Sequence, residues 1–258
     1  MKALIALLAA GTVMLAQTPP PAKSAPPATK SAAPAAKTAA PAVNPLLHPE
    51  NLKATAPASF QVKFSTSHGD FVVQVHRDWA PLGADRFYNL VRSRYFTNVA
   101  FFRNVPNFIV QFGMAPDPKV GAVWQNATIK DDPPKPGVHN TKGTLVFATA
   151  GPNTRTNQFF VNTNDNTHSL DPPVQQGFTP FGEVTDGMDV VLGLYALYGE
   201  RPDQGRILNE GKAYLDQNFP KLDFIKTATI VPPAGAAVPA TKSTAPAAKT
   251  TAPPAAKK

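Results

Sequence analysis

The stretch Ala100-Phe101-Phe102-Arg103-Asn104-Val105-Pro106-Asn107-Phe108-Ile109-Val110-Gln111-Phe112-Gly113 sets two short runs of aromatic and branched side chains on either side of Pro106-Asn107. Runs of this kind between turn residues read as β-strands, here at about 100–105 and 108–113. A second stretch, Gly143-Thr144-Leu145-Val146-Phe147-Ala148-Thr149-Ala150-Gly151-Pro152-Asn153-Thr154, continues to Asn157-Gln158-Phe159-Phe160 and predicts two more strands, at about 143–148 and 157–162. Toward the N-terminus, alternating runs at 60–64 and 71–75 flank Ser67-His68-Gly69-Asp70 and predict a β-hairpin. Pro81 opens a helix in which Phe87, Leu90 and Val91 share one face, ending near Arg94. Further helices are predicted over 188–197, after Asp186-Gly187, and over 212–218, stopped by Pro220, with a strand at 224–231. Many short strands with few helices mean a sandwich or a closed barrel.

Composition separates this region from its flanks. The chain of 258 residues has 29 Pro, no Cys and a formal charge of +8. Between 58 and 230, Lys+Arg and Asp+Glu balance at 16 each, so both flanks together carry the whole excess. The high pI is therefore not that of a basic folded domain, and specific nucleic-acid binding is not expected. Absence of cysteine excludes a disulfide framework, a thiol nucleophile and a Cys-ligated zinc site. Residues 1–16, MKALIALLAAGTVMLA, have Lys2 followed by an apolar run and read as a signal peptide, too short for a membrane span. Export to a periplasm or the extracellular space follows, with no transmembrane segment left after cleavage. Residues 17–57 hold 10 of the prolines among Ala, Lys, Thr and Ser, and read as a disordered linker. The tail 232–258 reads the same way: PATKSAAPAAKTAAP at 27–41 returns as PATKSTAPAAKTTAP at 239–253. These flanks are either solvated spacers or weak electrostatic tethers to anionic envelope polymers.

The two quoted stretches, together with Phe181-Gly182-Glu183-Val184 and Asp186-Gly187-Met188-Asp189-Val190-Val191, resemble the cyclophilin-type peptidyl-prolyl cis-trans isomerases. The resemblance runs in order from about 60 to 231 and bounds a domain at 58–231. It implies a mainly β fold, a closed eight-stranded antiparallel β-barrel capped by two or three helices. It also implies rotation about Xaa-Pro bonds of proline-containing polypeptide clients, with no cofactor and no metal, by a monomer.

By the same resemblance Arg103 is the catalytic residue. Phe108, Ile109, Phe160 and Leu170 form the proline socket, with Val105 beneath and Phe178 at its wall. Gln111 and Gln158 bond the substrate backbone, and Ala148, Thr149 and Ala150 line the groove. Read alone, Arg103 would be a solvated strand charge and the apolar residues ordinary barrel core. Within the motif shared with the family that weighting reverses for Arg103, and the chemistry fits the role the resemblance implies. Amide resonance sets a barrier of ~18–20 kcal/mol, and a rigid guanidinium can donate to the nitrogen of the twisted amide. Phe102 stands where the family usually has His, Ile109 where it often has Met, Thr149 for an Asn, Ser169 for a Trp and Phe178 near a His. The Trp and His losses bear on cyclosporin binding more than on isomerisation. A longer stretch from Tyr198 to Pro220 has no chemical role assigned by sequence. A binding module holding proline segments without turnover is the competing function. The five histidines show no metal-ligand spacing, and no Gly-x-Ser-x-Gly elbow or phosphate loop is present.

Overall fold

In β1 (Ser59–Thr66) and β2 (Asp70–His76), alternate side chains point to opposite faces, so Phe60, Val62, Phe64, Phe71, Val73 and Val75 are all buried. The computed structural model that shows this describes residues 44–232. The hairpin expected around Ser67-His68-Gly69-Asp70 is present with Phe64 opposite Phe71. Its turn is held by the Thr66 hydroxyl, which donates to the Gly69 carbonyl and accepts from the His68 and Gly69 N–H groups.

The remaining strands are β3 (Arg103–Val105), β4 (Ile109–Phe112), β5 (Thr144–Phe147), β6 (Phe159–Asn162), β7 (Gly182–Asp186) and β8 (Ile225–Val231). All eight join one sheet in the order β3-β4-β6-β5-β7-β2-β1-β8, and every ladder is antiparallel. The sheet curls, but the closed barrel expected from sequence is not formed as a continuous ladder: β3 and β8 do not pair. The reason lies in the chain before β3. Its bonds go to the entry of β8, through the Ala100–Phe224 bridge and the Phe101 N–H to the Asp223 carbonyl, and β3 itself is left as an edge. Gly182 has no room for a side chain, since a Cβ there would lie 2.6 Å from the Gln74 carbonyl oxygen. That contact lets β7 come against β2.

Inside the curl, Phe64, Phe71, Phe87, Phe96, Phe112, Phe147, Phe159 and Phe181 are almost fully buried. Their rings meet edge-on or tilted, Phe147 and Phe159 with centroids 4.5 Å apart, except that Phe64 and Phe71 stack at 4.8 Å. Each such pair adds ~0.5–1.5 kcal/mol beyond simple burial.

The helices are α1 (Pro81–Arg92), α2 (Pro118–Trp124), α3 (Thr167–Leu170), α4 (Met188–Gly193), α5 (Gln204–Glu210) and α6 (Lys212–Asn218). Sequence anticipated α1, α4 and α6. It missed α2, α3 and α5, so the two or three helices expected are six among the described residues, although Asp117 and Asp203 cap α2 and α5 by accepting backbone N–H groups. The helix expected to reach 197 stops at Gly193, against which the His68 ring packs. Helix α1 has no local side-chain cap; instead the buried Asp132 carboxylate accepts from the Leu82 and Gly83 N–H groups at 2.9 Å each. A carboxylate there also complements the helix dipole.

The expected linker is corrected over 44–57. Leu46 gives its carbonyl to the Trp124 indole N–H at 2.8 Å. Asn89 of α1 bonds both the N–H and the carbonyl of Ala54, and the Ala56 N–H donates to Asp85. These backbone bonds, with Leu46, Leu47 and Leu52 packed against the main core, hold the segment despite its linker-like composition. The expected signal peptide at 1–16, residues 17–43 of the expected linker and the expected tail from 233 lie outside the described residues. Among the described residues no helix is long and apolar enough to cross a membrane.

Candidate active site

The antiparallel registers align one residue from each of four strands. Arg103 is opposite Gln111, Gln111 opposite Phe160, and Phe160 opposite Val146. Because alternate residues face opposite ways, Val110, Phe112, Leu145, Phe147, Phe159 and Val161 enter the main core. Their neighbours face outward, where Ile109, Val146, Phe160 and Leu170 form a separate apolar cluster joined by Phe108, Ala148 and Phe178. A socket thus exists on the outer face of the same strands that build the core.

The socket lies in a groove of about 940 Å³. Phe108, Ile109, Phe160, Leu170 and Phe178 line its apolar part, and the Phe160 and Phe178 rings meet edge-on at 5.9 Å. Arg103, Gln111 and Gln158 line its polar flank, joined in a chain: Arg103 Nη1 donates to Gln111 Oε1 at 3.1 Å, and Gln111 Nε2 donates to Gln158 Oε1 at 2.9 Å. Ala148, Thr149 and Ala150 run along the wall. The Thr149 hydroxyl bonds Gly151 and Thr154 within its own turn, so Thr149 offers the groove its backbone. Val105 is the exception among the expected site residues. It sits half-buried on β3 opposite Ile109 and does not line the groove.

Three buried asparagines hold the socket walls from behind. Asn166 donates to the Phe108 carbonyl and to Asn162, Asn162 donates to Asn140 and Thr144, and Asn140 donates to the Phe178 carbonyl and to Asp171. Phe108, Leu170 and Phe178 come from three different loops or short elements, and this network fixes their spacing. Gly113, at φ +115°, ends β4 where a Cβ would lie 2.2 Å from the Asn157 carbonyl oxygen. Its carbonyl accepts from the Tyr95 hydroxyl and from Asn157. Burial pushes the Tyr95 phenol well above its usual pKa, against the opposing Asn157 bond, so it stays a donor.

A family model for cyclophilin-type peptidyl-prolyl cis-trans isomerases matches residues 61–209. The chain belongs to this family. A peptidyl-prolyl cis-trans isomerase of Acinetobacter baylyi is 34% identical over 54% of this chain and 74% of its own length. Peptidyl-prolyl cis-trans isomerase B of Escherichia coli is 34% identical over 64% of this chain and 94% of its own. A crystal structure of a Cryptosporidium parvum cyclophilin overlays with a TM-score of 0.49 at 20% identity, over 67% of this chain and 98% of that one. The activity is that of a peptidyl-prolyl cis-trans isomerase.

Against the cyclophilin pattern, the departures now have surroundings. Phe102, where the family usually has His, is 1% exposed in a second cluster with Ile207, Tyr214 and Leu215. An imidazole there would be buried among apolar groups. Ser169 is exposed and does not line the groove, so that rim carries no indole. Sequence reasoning missed Glu200, Gln204 and Leu208, which line the groove from the stretch to which no role was assigned. No short motif marks them. Glu200 lies 97 residues from Arg103 in sequence, and only the fold brings the two together. Among the described residues no three His, Asp or Glu side chains gather as a metal site.

Proposed function

We propose that Arg103 catalyses Xaa-Pro rotation by donating to the prolyl nitrogen as the amide twists, with the proline ring in the Phe108, Ile109, Phe160 and Leu170 socket. The observation that carries this reading is the strand-to-strand row Arg103–Gln111–Phe160, which sets a permanently charged fork beside an apolar socket. As the amide leaves planarity its nitrogen regains a lone pair and becomes an acceptor. A donor fixed there in advance favours the twisted state over both planar isomers. Gln111, bonded to both Arg103 and Gln158, keeps the polar flank in register for the substrate backbone. No covalent step is required. Arg103→Ala should lower kcat/KM roughly 10²–10³-fold, the scale of losing one such donor. Exchange NMR on an Xaa-Pro peptide reads this, and an unchanged rate in the variant would sink the mechanism.

We further propose that the clients are exported proteins. The support is residues 1–16, with their early lysine and short apolar run. The Lys-rich flanks supply weak attraction to anionic envelope polymers. Expression in a Gram-negative host followed by fractionation and N-terminal sequencing tests export. Full-length chain confined to the cytoplasm would reject it.

A further inference from the structure

Three consecutive residues at the β3 edge are each held by the segment 194–222. Phe102 is buried between Ile207, Tyr214 and Leu215. Asn104 donates its backbone N–H to the Gly199 carbonyl at 3.2 Å and its side-chain amide to the Leu194 carbonyl at 2.8 Å. Between them, Arg103 donates from Nε at 2.6 Å and lies with Nη2 at 2.5 Å from one oxygen of Glu200. The turn that delivers this carboxylate is tied by the Gly199 N–H to the Ala196 carbonyl and the Arg201 N–H to the Tyr198 carbonyl. Gly199 at φ +58° takes the left-handed conformation such a turn needs. The adjacent cation is occupied elsewhere: Arg201 donates to the Leu197 and Tyr198 carbonyls, with its guanidinium over the Tyr198 ring. It does not compete for Glu200.

We infer that Glu200 is a positioning residue for the isomerisation, brought in by the 194–222 segment to fix the plane of the Arg103 guanidinium. The inference rests on Arg103 being the donor to the twisted amide. Gln111 takes Nη1 from the strand side and Glu200 takes Nε and Nη2 from the other, so all three nitrogens are engaged. Of five guanidinium N–H groups, one on each terminal nitrogen is left for a peptide in the groove. Two effects of the carboxylate oppose each other. It offsets the positive field in the groove, and it removes the swing of a long side chain. The Glu200 side chain is 62% exposed, so water screens the first effect strongly. Misplacement of a catalytic group by an ångström costs up to ~10²-fold, so the second effect wins.

The test uses the full chain with Glu200→Ala and Glu200→Gln. Each is read by exchange kinetics on an Xaa-Pro peptide, by the ¹⁵N resonance and solvent exchange of the Arg103 Nε–H, and by the thermal midpoint. Glu200→Ala should lower kcat roughly ten- to a hundredfold with KM little changed. Its Arg103 Nε–H should exchange faster with solvent while the thermal midpoint holds. Glu200→Gln, which keeps an acceptor oxygen at the same reach, should recover part of both kinetic and spectroscopic losses. A wild-type kcat in Glu200→Ala would overturn the inference, and so would a raised one, which would make the carboxylate a competitor of the substrate. Arg103→Ala in the same assay separates the two levels. If it is slow while Glu200→Ala is normal, only the positioning role falls; if Arg103→Ala is itself normal, the arginine mechanism falls.

Discussion

Two segments outside the eight strands pack against them, and they do so in different ways. Residues 44–57 are gripped mainly by their backbone: Asn89 bonds both polar groups of Ala54, Asp85 accepts from Ala56, and Trp124 donates to Leu46. Residues 194–222 add side chains to backbone bonds: Asn104 bonds the Gly199 and Leu194 carbonyls, while Ile207, Tyr214 and Leu215 close over Phe102 and Glu200 holds Arg103. None of 44–57 lines the groove, whereas Glu200, Gln204 and Leu208 do. A segment held by its backbone can stabilise the domain while tolerating Pro/Ala-rich sequence. One held by side chains as well, on the strand that carries Arg103, couples its own packing to the chemistry.

The sharpest way to break this contrast is Phe102→Ala. Removing a fully buried ring should cost about 3–5 kcal/mol, read as a shift in the urea midpoint. It should also lower kcat/KM, because the 194–222 segment loses its seat on β3. Full kcat/KM in a destabilised Phe102→Ala would show that packing and chemistry are independent here. Phe102→His, the residue common in the family, has less to lose in volume but buries an unpartnered ring nitrogen, at about 1–3 kcal/mol.

How far sequence reached follows from what kind of contact each part uses. The socket was named from the family resemblance of two short stretches, which hold Phe108, Ile109 and Phe160 but not Leu170 or Phe178, and strand alternation sends Ile109, Gln111 and Phe160 to one face. Val105 shares the face of Arg103 and Ile109 by alternation, but it sits at the last position of β3 and does not line the groove. Asp117-Pro118 carried an overlooked helix start, a capping carboxylate before proline. The 44–57 strap was hidden by its composition. Its anchors are remote side chains on α1 and α2, and only Leu46, Leu47 and Leu52 hinted at burial. Glu200 left no signal at all, for an exposed acid in a turn is ordinary until a fold sets it beside an arginine. Phe102 was visible as a departure, but its reason lies a hundred residues away in α5 and α6.

The strap gives the smallest effect and the one with a pH signature. Burial works to raise the Asp85 carboxyl, but hydrogen bonds from the Arg77 guanidinium and the Ala56 N–H outweigh it and hold the pKa below its ordinary value. Arg77 binds it with two nitrogens, Nε at 2.8 Å and Nη2 at 2.9 Å. A depressed folded pKa means this stabilisation is complete above the ordinary carboxylate pKa of about 3.9 and is lost as pH falls through the lower folded value. Asp85→Asn keeps an acceptor for Ala56 but turns amide hydrogens toward Arg77, so it should cost about 1–2 kcal/mol near pH 7. Wild-type and variant urea midpoints should then converge as the pH drops below 4, with kcat/KM equal at neutral pH because Asp85 is remote from the groove. A gap that stayed constant down to low pH would mean the charge of Asp85 contributes nothing. A fall in kcat/KM at pH 7 would mean the strap, like the 194–222 segment, reaches the arginine.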